Sequence, residues 1–252
     1  MEVRVIPVLL LKNGMLYKSV NFKKHKYIGD PINAVKIFNE KEVDELIFLD
    51  IEASVKGKEP DYSTLTDIAS ECFMPLCYGG GVKTMKEIEK IMYTGVEKIS
   101  LNTSALENPG FVKDAVAEYG STTIVGSIDA KKTLFSGYKV YGHAGSKKRN
   151  LDPVEWAKQI EDLGVGEVLI NSIDRDGLME GYDVPLIKSI AGSLSIPVIA
   201  CGGAGSLDHM SKAVTDGQAS AVAAGSFFVF QGKHRAVLIT YPDSSELKRT
   251  FQ

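Results

Sequence analysis

The stretch MPLCYGGGVKT at residues 74–84 decides the fold, because it recurs in similar form as IPVIACGGAGS at residues 196–206. A shift of 122 residues superimposes the two stretches without a gap, and the same shift places Asp30-Pro31 on Asp152-Pro153. Similarity at a fixed spacing is the sequence signature of a repeated structural unit. The chain therefore consists of two similar halves.

Short apolar runs alternate with amphipathic segments along the chain. The eight runs are VRVIPVLLL, ELIFLDI, MPLCY, EKISLN, TTIVGSI, GEVLINSI, IPVIA and SAVAA. Continuous apolar runs are typical of parallel strands buried on both faces, and eight strand-helix units close a barrel. We predict an α/β fold, a single (βα)8 TIM barrel domain over residues 1–252, with half-barrels at about 1–120 and 121–240.

Helix starts are marked by capping residues. Asp30-Pro31 and Asp152-Pro153 each read as an N-cap followed by proline at the first helical position, where the missing N–H costs nothing. Thr84 and Glu87 have the spacing of a capping box after the triple-glycine turn. We expect helices to begin at these three places.

Composition excludes several classes of function. The 29 basic and 32 acidic residues give a net charge of -3, which offers no basic surface for nucleic acid. The three cysteines have neither disulfide nor zinc spacing, and no cofactor or metal site is indicated. No signal peptide or long apolar segment is evident. We expect a cytoplasmic protein that binds neither nucleic acid nor membrane.

Two glycine-rich turns, YGGGVKT and CGGAGS, follow the third and seventh predicted strands. Each has a polar partner one strand later, Asn102-Thr103 in the first half and Gly225-Ser226 in the second. Backbone N–H groups of such turns bind phosphates at the C-terminal end of a barrel. The pattern predicts two phosphate sites on opposite rims of one face. The alternative is that the glycines only make tight turns.

Two long connections flank this face. Residues 12–30 are rich in lysine, which predicts either an anion-attracting lid or an ordinary solvated loop. Residues 132–151 form an insertion after the fifth predicted strand, and insertions of this length more often cover a substrate than decorate a surface. We expect its single histidine, His143, to face solvent.

Acidic residues at strand ends are candidates for proton transfer. Asp129 is the foremost, because it ends an otherwise apolar strand where a carboxylate is costly unless it is paired. An ion pair with Lys131 is the structural alternative. A shift of 119 residues lays Leu10, in VLLLKNG, on Asp129. A barrel with two catalytic carboxylates would have an acid in place of Leu10.

Together these motifs resemble the cyclase subunit of imidazole glycerol phosphate synthase. The resemblance spans about residues 3–230 and is carried by DELIFLDIEAS, GGGVKT, VEKISLNTSALENP, SIDAK, SIDRDG, GYD and ACGGAG. It implies a lyase or cyclase that takes ammonia from a glutaminase partner in a heterodimer. The ring-closing substrate would be a bis-phosphorylated aminoimidazole carboxamide ribonucleotide.

The resemblance also implies roles for individual residues. Asp129 matches the family's acid on strand 5 and Lys18 the lysine of its mobile first loop, whereas Asp174 and Asp176 fall in its substrate-binding turn. The implied phosphate contacts are Gly81, Asn102 and Thr103 at one site and Gly203, Gly225 and Ser226 at the other. The implied ammonia gate is Arg4, Glu45, Lys98 and Glu167, which barrel anatomy alone would interpret as a stabilising ion-pair network.

The chain departs from the family at two places. Leu10 stands where the family has its second catalytic aspartate, as in paralogous subunits linked to surface-polysaccharide assembly. We therefore expect weakened ring closure, with ammonia passing to a sugar-modifying amidotransferase. The alternatives are genuine imidazole glycerol phosphate synthesis in histidine biosynthesis, a non-catalytic scaffold that activates its glutaminase, and a phosphosugar isomerase. The last residues, 231–252, do not match the family's closing helix.

Overall fold

The computed structural model describes residues 3–252, and its centre is a closed barrel of eight parallel strands. Each strand pairs in parallel with the next, and the last pairs with the first. The predicted (βα)8 fold is therefore confirmed. The barrel strands are β1 (Arg4–Lys12), β2 (Leu46–Asp50), β3 (Leu76–Gly79), β4 (Lys98–Leu101), β5 (Ile124–Thr133), β6 (Glu167–Ser172), β7 (Val198–Cys201) and β8 (Ala221–Ala224).

A helix follows every barrel strand. The last of these helices is formed by residues that did not match the family's closing helix in sequence, and it starts at an Asp243–Glu246 capping box. The eight helices are α1 (Pro31–Glu40), α2 (Tyr62–Glu71), α3 (Met85–Tyr93), α4 (Pro109–Tyr119), α5 (Pro153–Asp162), α6 (Val184–Ala191), α7 (Leu207–Thr215) and α8 (Ser244–Phe251). Shorter helical turns occupy Ala53–Lys56, Thr103–Glu107, Ser121–Thr123 and Ser226–Val229.

The predicted helix caps are confirmed. Asp30 accepts a hydrogen bond from the backbone of Asn33, and Asp152 accepts from the backbone of residues 154 and 155. Thr84 and Glu87 make both bonds of a capping box. The N-caps of α1 and α5, of α2 and α6, and of α3 and α7 stand at residues 30 and 152, 61 and 183, and 84 and 206, the same spacing in each pair.

Apolar side chains fill two layers. The larger layer packs between the outer face of the barrel and the helices, where Phe38, Phe48 and Tyr78 are almost fully buried. The smaller layer fills the inside of the barrel. Its members are Ile6, Val8, Ile47, Cys77, Val125, Leu169, Ile199, Cys201, Ala221 and Ala223. In residues 3–252 no helix is long and apolar enough to cross a membrane.

Antiparallel hairpins extend the barrel at its C-terminal end. After β1, strands Met15–Val20 and Lys23–Gly29 form the first hairpin, which pairs with the end of β1. The end of β5 pairs with Gly137–Gly142 in a second hairpin. These two insertions correspond to the long connections predicted from the sequence, and both lie at the end of the barrel where the site is found.

Candidate functional site

A cavity of about 510 Å³ opens at the C-terminal ends of the barrel strands. It is bordered by both glycine-rich turns and by the polar residues that follow β4 and β8. The first cradle consists of Gly81, Asn102 and Thr103, and the second cradle consists of Gly203, Gly225 and Ser226. All six residues line the same cavity.

The glycine turns are packed tightly on their outer sides. A Cβ atom on Gly81 would lie 2.7 Å from the Cβ of Ala53, and Gly81 has a φ of +76° that other residues rarely adopt. A Cβ atom on Gly203, whose φ is +110°, would come even closer to the carbonyl oxygen of Gly181. Packing alone therefore requires glycine at both positions, which agrees with the interpretation that these residues make tight turns. Their opposite sides border the cavity, so the two interpretations are compatible.

Asp129 lies on β5 and lines the cavity, with only 9% of its surface exposed. Burial raises its pKa to about 7, and the nearby charge of Asp176 adds to the shift. Asn102 Nδ2 donates a hydrogen bond to Asp129 Oδ2 over 3.2 Å. In the described part of the chain no ion pair joins Asp129 to Lys131, so the structural alternative is not observed. Asp129 can exchange a proton near neutral pH.

Leu10 lines the same cavity with an apolar side chain. It lies beside Leu49 in the register of β1 and β2, and both leucines pack on the apolar layer inside the barrel. Asp50, at the end of β2, also lines the cavity, but its carboxylate accepts bonds from the backbone of Glu52 and Ala53 at the start of a short helix. Glu52, the other acid on the β1–β2 side among the described residues, forms ion pairs with Lys12 and Lys56, so both acids of this side are already engaged, unlike Asp129.

Lys18 is buried, although the sequence places it in a lysine-rich loop. Its ammonium group donates to the carbonyl of Val8 and lies against Gly225 of the second cradle. Burial lowers the pKa of Lys18 to about 8, an effect that the charge of Asp176 opposes. Lys18 thus forms part of the cavity wall beside the second cradle in the described conformation.

The turn after β6 holds the first hairpin in place. Asp176 lines the cavity and accepts hydrogen bonds from Ser19 Oγ over 2.7 Å and from the Phe22 backbone over 3.2 Å. Asp174 is not brought to the cavity wall. Its carboxylate instead accepts a bond of 2.8 Å from the backbone N–H of Lys132 in the second hairpin. Of the two predicted aspartates, only Asp176 reaches the candidate site.

His143 lines the cavity, and the prediction that it faces solvent is wrong. Its imidazole Nε2 lies 2.8 Å from Glu107 Oε1, and its Nδ1 lies 3.1 Å from the carbonyl of Ser54. These partners follow β4 and β2, far from His143 in the sequence. Local sequence reasoning had no signal for this contact, because it depends on how three loops meet.

The four predicted gate residues meet at the opposite end of the barrel. Arg4 lies 2.5 Å from both Glu45 and Glu167, and Lys98 lies 2.9 Å from Glu45 and 2.7 Å from Glu167. Each base therefore contacts both acids in an alternating ring. Both bases bind Oε2 of Glu45, whose buried Oε1 has no partner among the described residues, whereas Glu167 uses both of its oxygens.

The charges of this ring stabilise one another despite their burial. Burial alone would raise the pKa of Glu167, but hydrogen bonds from Arg4 and Lys98 outweigh it and the pKa is lowered. Burial likewise disfavours the charge of Lys98, yet the two glutamates raise its pKa overall. Lys98 and Glu167 therefore keep their charges at neutral pH.

A family model described as "Histidine biosynthesis protein" matches residues 4–235, which include all eight barrel strands. The chain belongs to this family. The resemblance expected from the motifs is thus confirmed at the level of the family. Membership of this family indicates an enzyme of the cyclase type.

Relatives within the histidine biosynthesis family match the chain over nearly its whole length. A Pseudomonas aeruginosa protein, provisionally named imidazole glycerol phosphate synthase subunit hisF2, is 53% identical over 97% of both chains. A Vibrio vulnificus protein, provisionally named subunit hisF3, is 48% identical over 99% of this chain and 96% of its own. A similarly named HisF subunit of Leptospira borgpetersenii is 47% identical over 98% of both.

Proposed function

We propose that this protein is the ammonia-accepting, cyclase-type subunit of a glutamine amidotransferase that works with a glutaminase partner. The observation that supports the proposal is the position of the charged ring at one end of the barrel and of the cavity at the other. A glutaminase bound over the ring would release ammonia at the N-terminal end of the barrel, and the molecule that accepts the ammonia would be bound in the cavity.

The barrel interior suits neutral ammonia. Between the ring and the cavity lie apolar side chains such as Ile6, Leu169 and Ala223. Moving a charged ammonium ion through such surroundings is strongly unfavourable, while a small neutral molecule meets a much lower cost. The ring of Arg4, Glu45, Lys98 and Glu167 would act as the gate, because its ion pairs must rearrange to admit ammonia.

The ligand of the cavity is a phosphorylated molecule with an anionic group at each end. Two cradles on opposite halves of one cavity support this proposal, and Lys18 provides a positive charge beside the second cradle. Asp176 and Asp129 lie in the same cavity. Asp129 is the group that would exchange a proton with the bound ligand.

Ring closure is weakened in this proposal because Leu10 cannot transfer a proton. General acid-base catalysis typically contributes a factor of about 10² to 10⁴, so loss of one partner costs much of the rate. Ammonia would then serve a sugar-modifying amidotransferase of surface-polysaccharide synthesis, for example lipopolysaccharide synthesis.

Genuine imidazole glycerol phosphate synthesis in histidine biosynthesis is the second candidate. The raised pKa of Asp129, about 7, favours it, because a single carboxyl that titrates near neutrality can both accept and release a proton. The names of the relatives point the same way.

Two measurements test these proposals. Mixing the protein with a glutaminase subunit from the same organism should give a complex with increased glutaminase activity, and Lys98→Met should lower the transfer of ammonia. Absence of a complex would contradict the proposal. Supplying ammonia and the bis-phosphorylated ribonucleotide separates the candidates, since turnover at an ordinary enzyme rate means genuine synthase activity. A complex without turnover or ligand binding would indicate a scaffold.

A further inference from the structure

We propose that His143 is a positioning residue that fixes the second hairpin over the first cradle and thereby sets the affinity of that cradle for a phosphate group. The inference rests on the proposed function, because it takes the first cradle to be a phosphate site. His143 is not among the residues to which the family resemblance assigns a role.

The ring of His143 joins loops from three parts of the barrel. Its Nε2 lies 2.8 Å from Glu107 Oε1, after β4, and its Nδ1 lies 3.1 Å from the Ser54 carbonyl, after β2. His143 itself belongs to the insertion after β5. A side chain with partners on two other loops, one after β2 and one after β4, holds the insertion at a fixed position.

Glu107 is held by the same insertion from a second side. Arg149 Nη2 lies 3.2 Å from the oxygen that contacts His143. The hydrogen bond from His143 lowers the pKa of Glu107, so this group is a carboxylate at neutral pH. One carboxylate after β4 thus anchors two residues of the insertion.

The backbone of His143 acts directly on the first cradle. Its N–H donates a hydrogen bond to Thr103 Oγ1 over 2.9 Å. Because the hydroxyl oxygen accepts this bond, the hydroxyl proton of Thr103 is free to point at an anion in the cavity. His143 therefore orients a donor that belongs to the first cradle.

The local backbone is unusual. His143 and Ala144 both have left-handed φ values, +51° and +49°, although neither is glycine. Such conformations persist only where surrounding contacts compensate for them, and they concentrate at functional sites. The next residue, Gly145, packs against the ring of Phe22 in the first hairpin, since a Cβ there would lie 2.7 Å from a ring carbon. The strained segment thus lies where the two hairpins meet.

Titration with inorganic phosphate, followed through backbone amide resonances, tests the inference. The amides of Gly81 and Thr103 report on the first cradle, and those of Gly203 and Gly225 report on the second. His143→Ala should weaken phosphate binding at the first cradle about tenfold and leave the second unchanged. A purely structural defect would affect both cradles or lower the melting temperature.

Two further variants make the test specific. His143→Gln retains a donor that can reach Glu107, so it should recover part of the lost affinity. His234→Ala replaces an exposed histidine after β8 and should have no effect. Unchanged binding in His143→Ala, or an equal loss at both cradles, would overturn the inference alone. Failure of the unaltered protein to bind phosphate at the first cradle would overturn the proposed phosphate site as well.

Discussion

The carboxylate of Asp129 and the side-chain amide of Asn102 form a hydrogen bond of 3.2 Å at the wall of the cavity. It is the only side-chain hydrogen bond to Asp129 within residues 3–252, and it is too little to offset the burial of the charge. The pKa of Asp129 is consequently raised from 3.8 to about 7.

Asp129→Asn should therefore change the pH dependence of stability. A carboxyl whose folded pKa is raised binds more protons when folded, so its contribution to stability falls as the pH rises from about 4 to about 7. Relative to the unaltered protein, the variant should gain about 2 to 3 kcal/mol in free energy of unfolding between about pH 5 and pH 8. Urea denaturation at the two pH values measures this gain. Asp114→Asn, at an exposed position, serves as control. An equal gain in both variants would contradict the raised pKa of the buried Asp129 carboxyl.

Leu10→Asp should create the missing acid. If ring closure is limited by the lost proton-transfer group, the variant should turn over the bis-phosphorylated ribonucleotide with ammonia at least about tenfold faster than the unaltered protein. Leu10→Asn is the matched control, because it introduces a polar side chain of the same size that cannot transfer a proton. Equal rates in the two variants would show that the polarity of the new side chain, and not proton transfer, causes the change in rate.

Glu167→Gln should destabilise the ring at neutral pH. Arg4 and Lys98 would each lose a charged partner, and since both are partly exposed we expect a loss of only about 1 to 3 kcal/mol. The folded pKa of Glu167 is lowered, so its stabilisation is present above the unfolded pKa and disappears as the pH falls through the folded value. The difference from the unaltered protein should shrink below about pH 4.5. Glu118→Gln, on the exposed face of α4, should show neither effect.

Asn21→Ala should loosen the first hairpin. Asn21 Nδ2 donates to the carbonyls of Ile173 and Asp174 over 3.0 and 2.8 Å, which ties the hairpin tip to the turn after β6. Loss of two such bonds should speed hydrogen exchange in residues 15–29 by roughly 5- to 100-fold. Lys23→Ala removes an exposed side chain of the same hairpin and should leave exchange unchanged. Equal protection in both variants would mean that other contacts hold the hairpin.

Much of the fold could be predicted because its signals are local. The apolar runs of the barrel strands and the caps at Asp30, Thr84 and Asp152 act within a few residues, so the sequence alone reveals them. The charged ring was also accessible, since the family pattern indicates four strand beginnings and the closed barrel brings them together.

The placements that the sequence could not supply share a physical cause. The positions of Lys18, His143 and Asp174 depend on partners in distant segments, respectively near Val8, Glu107 and Lys132. The sequence around each of these residues is typical of a polar loop. Only the packing of the hairpins over the barrel decides whether such a side chain is buried, lines the cavity or turns away from it.

The two glutamates of the charged ring use their oxygens unequally. Glu167 engages Arg4 and Lys98 through separate oxygens, whereas Glu45 engages both through one and leaves the other without a partner. Glu45 can therefore accept a further hydrogen bond at its second oxygen while it keeps both ion pairs, whereas both oxygens of Glu167 already hold a base. An ammonia molecule that passed the proposed gate would therefore meet an unoccupied acceptor on the β2 side of the ring and none on the β6 side.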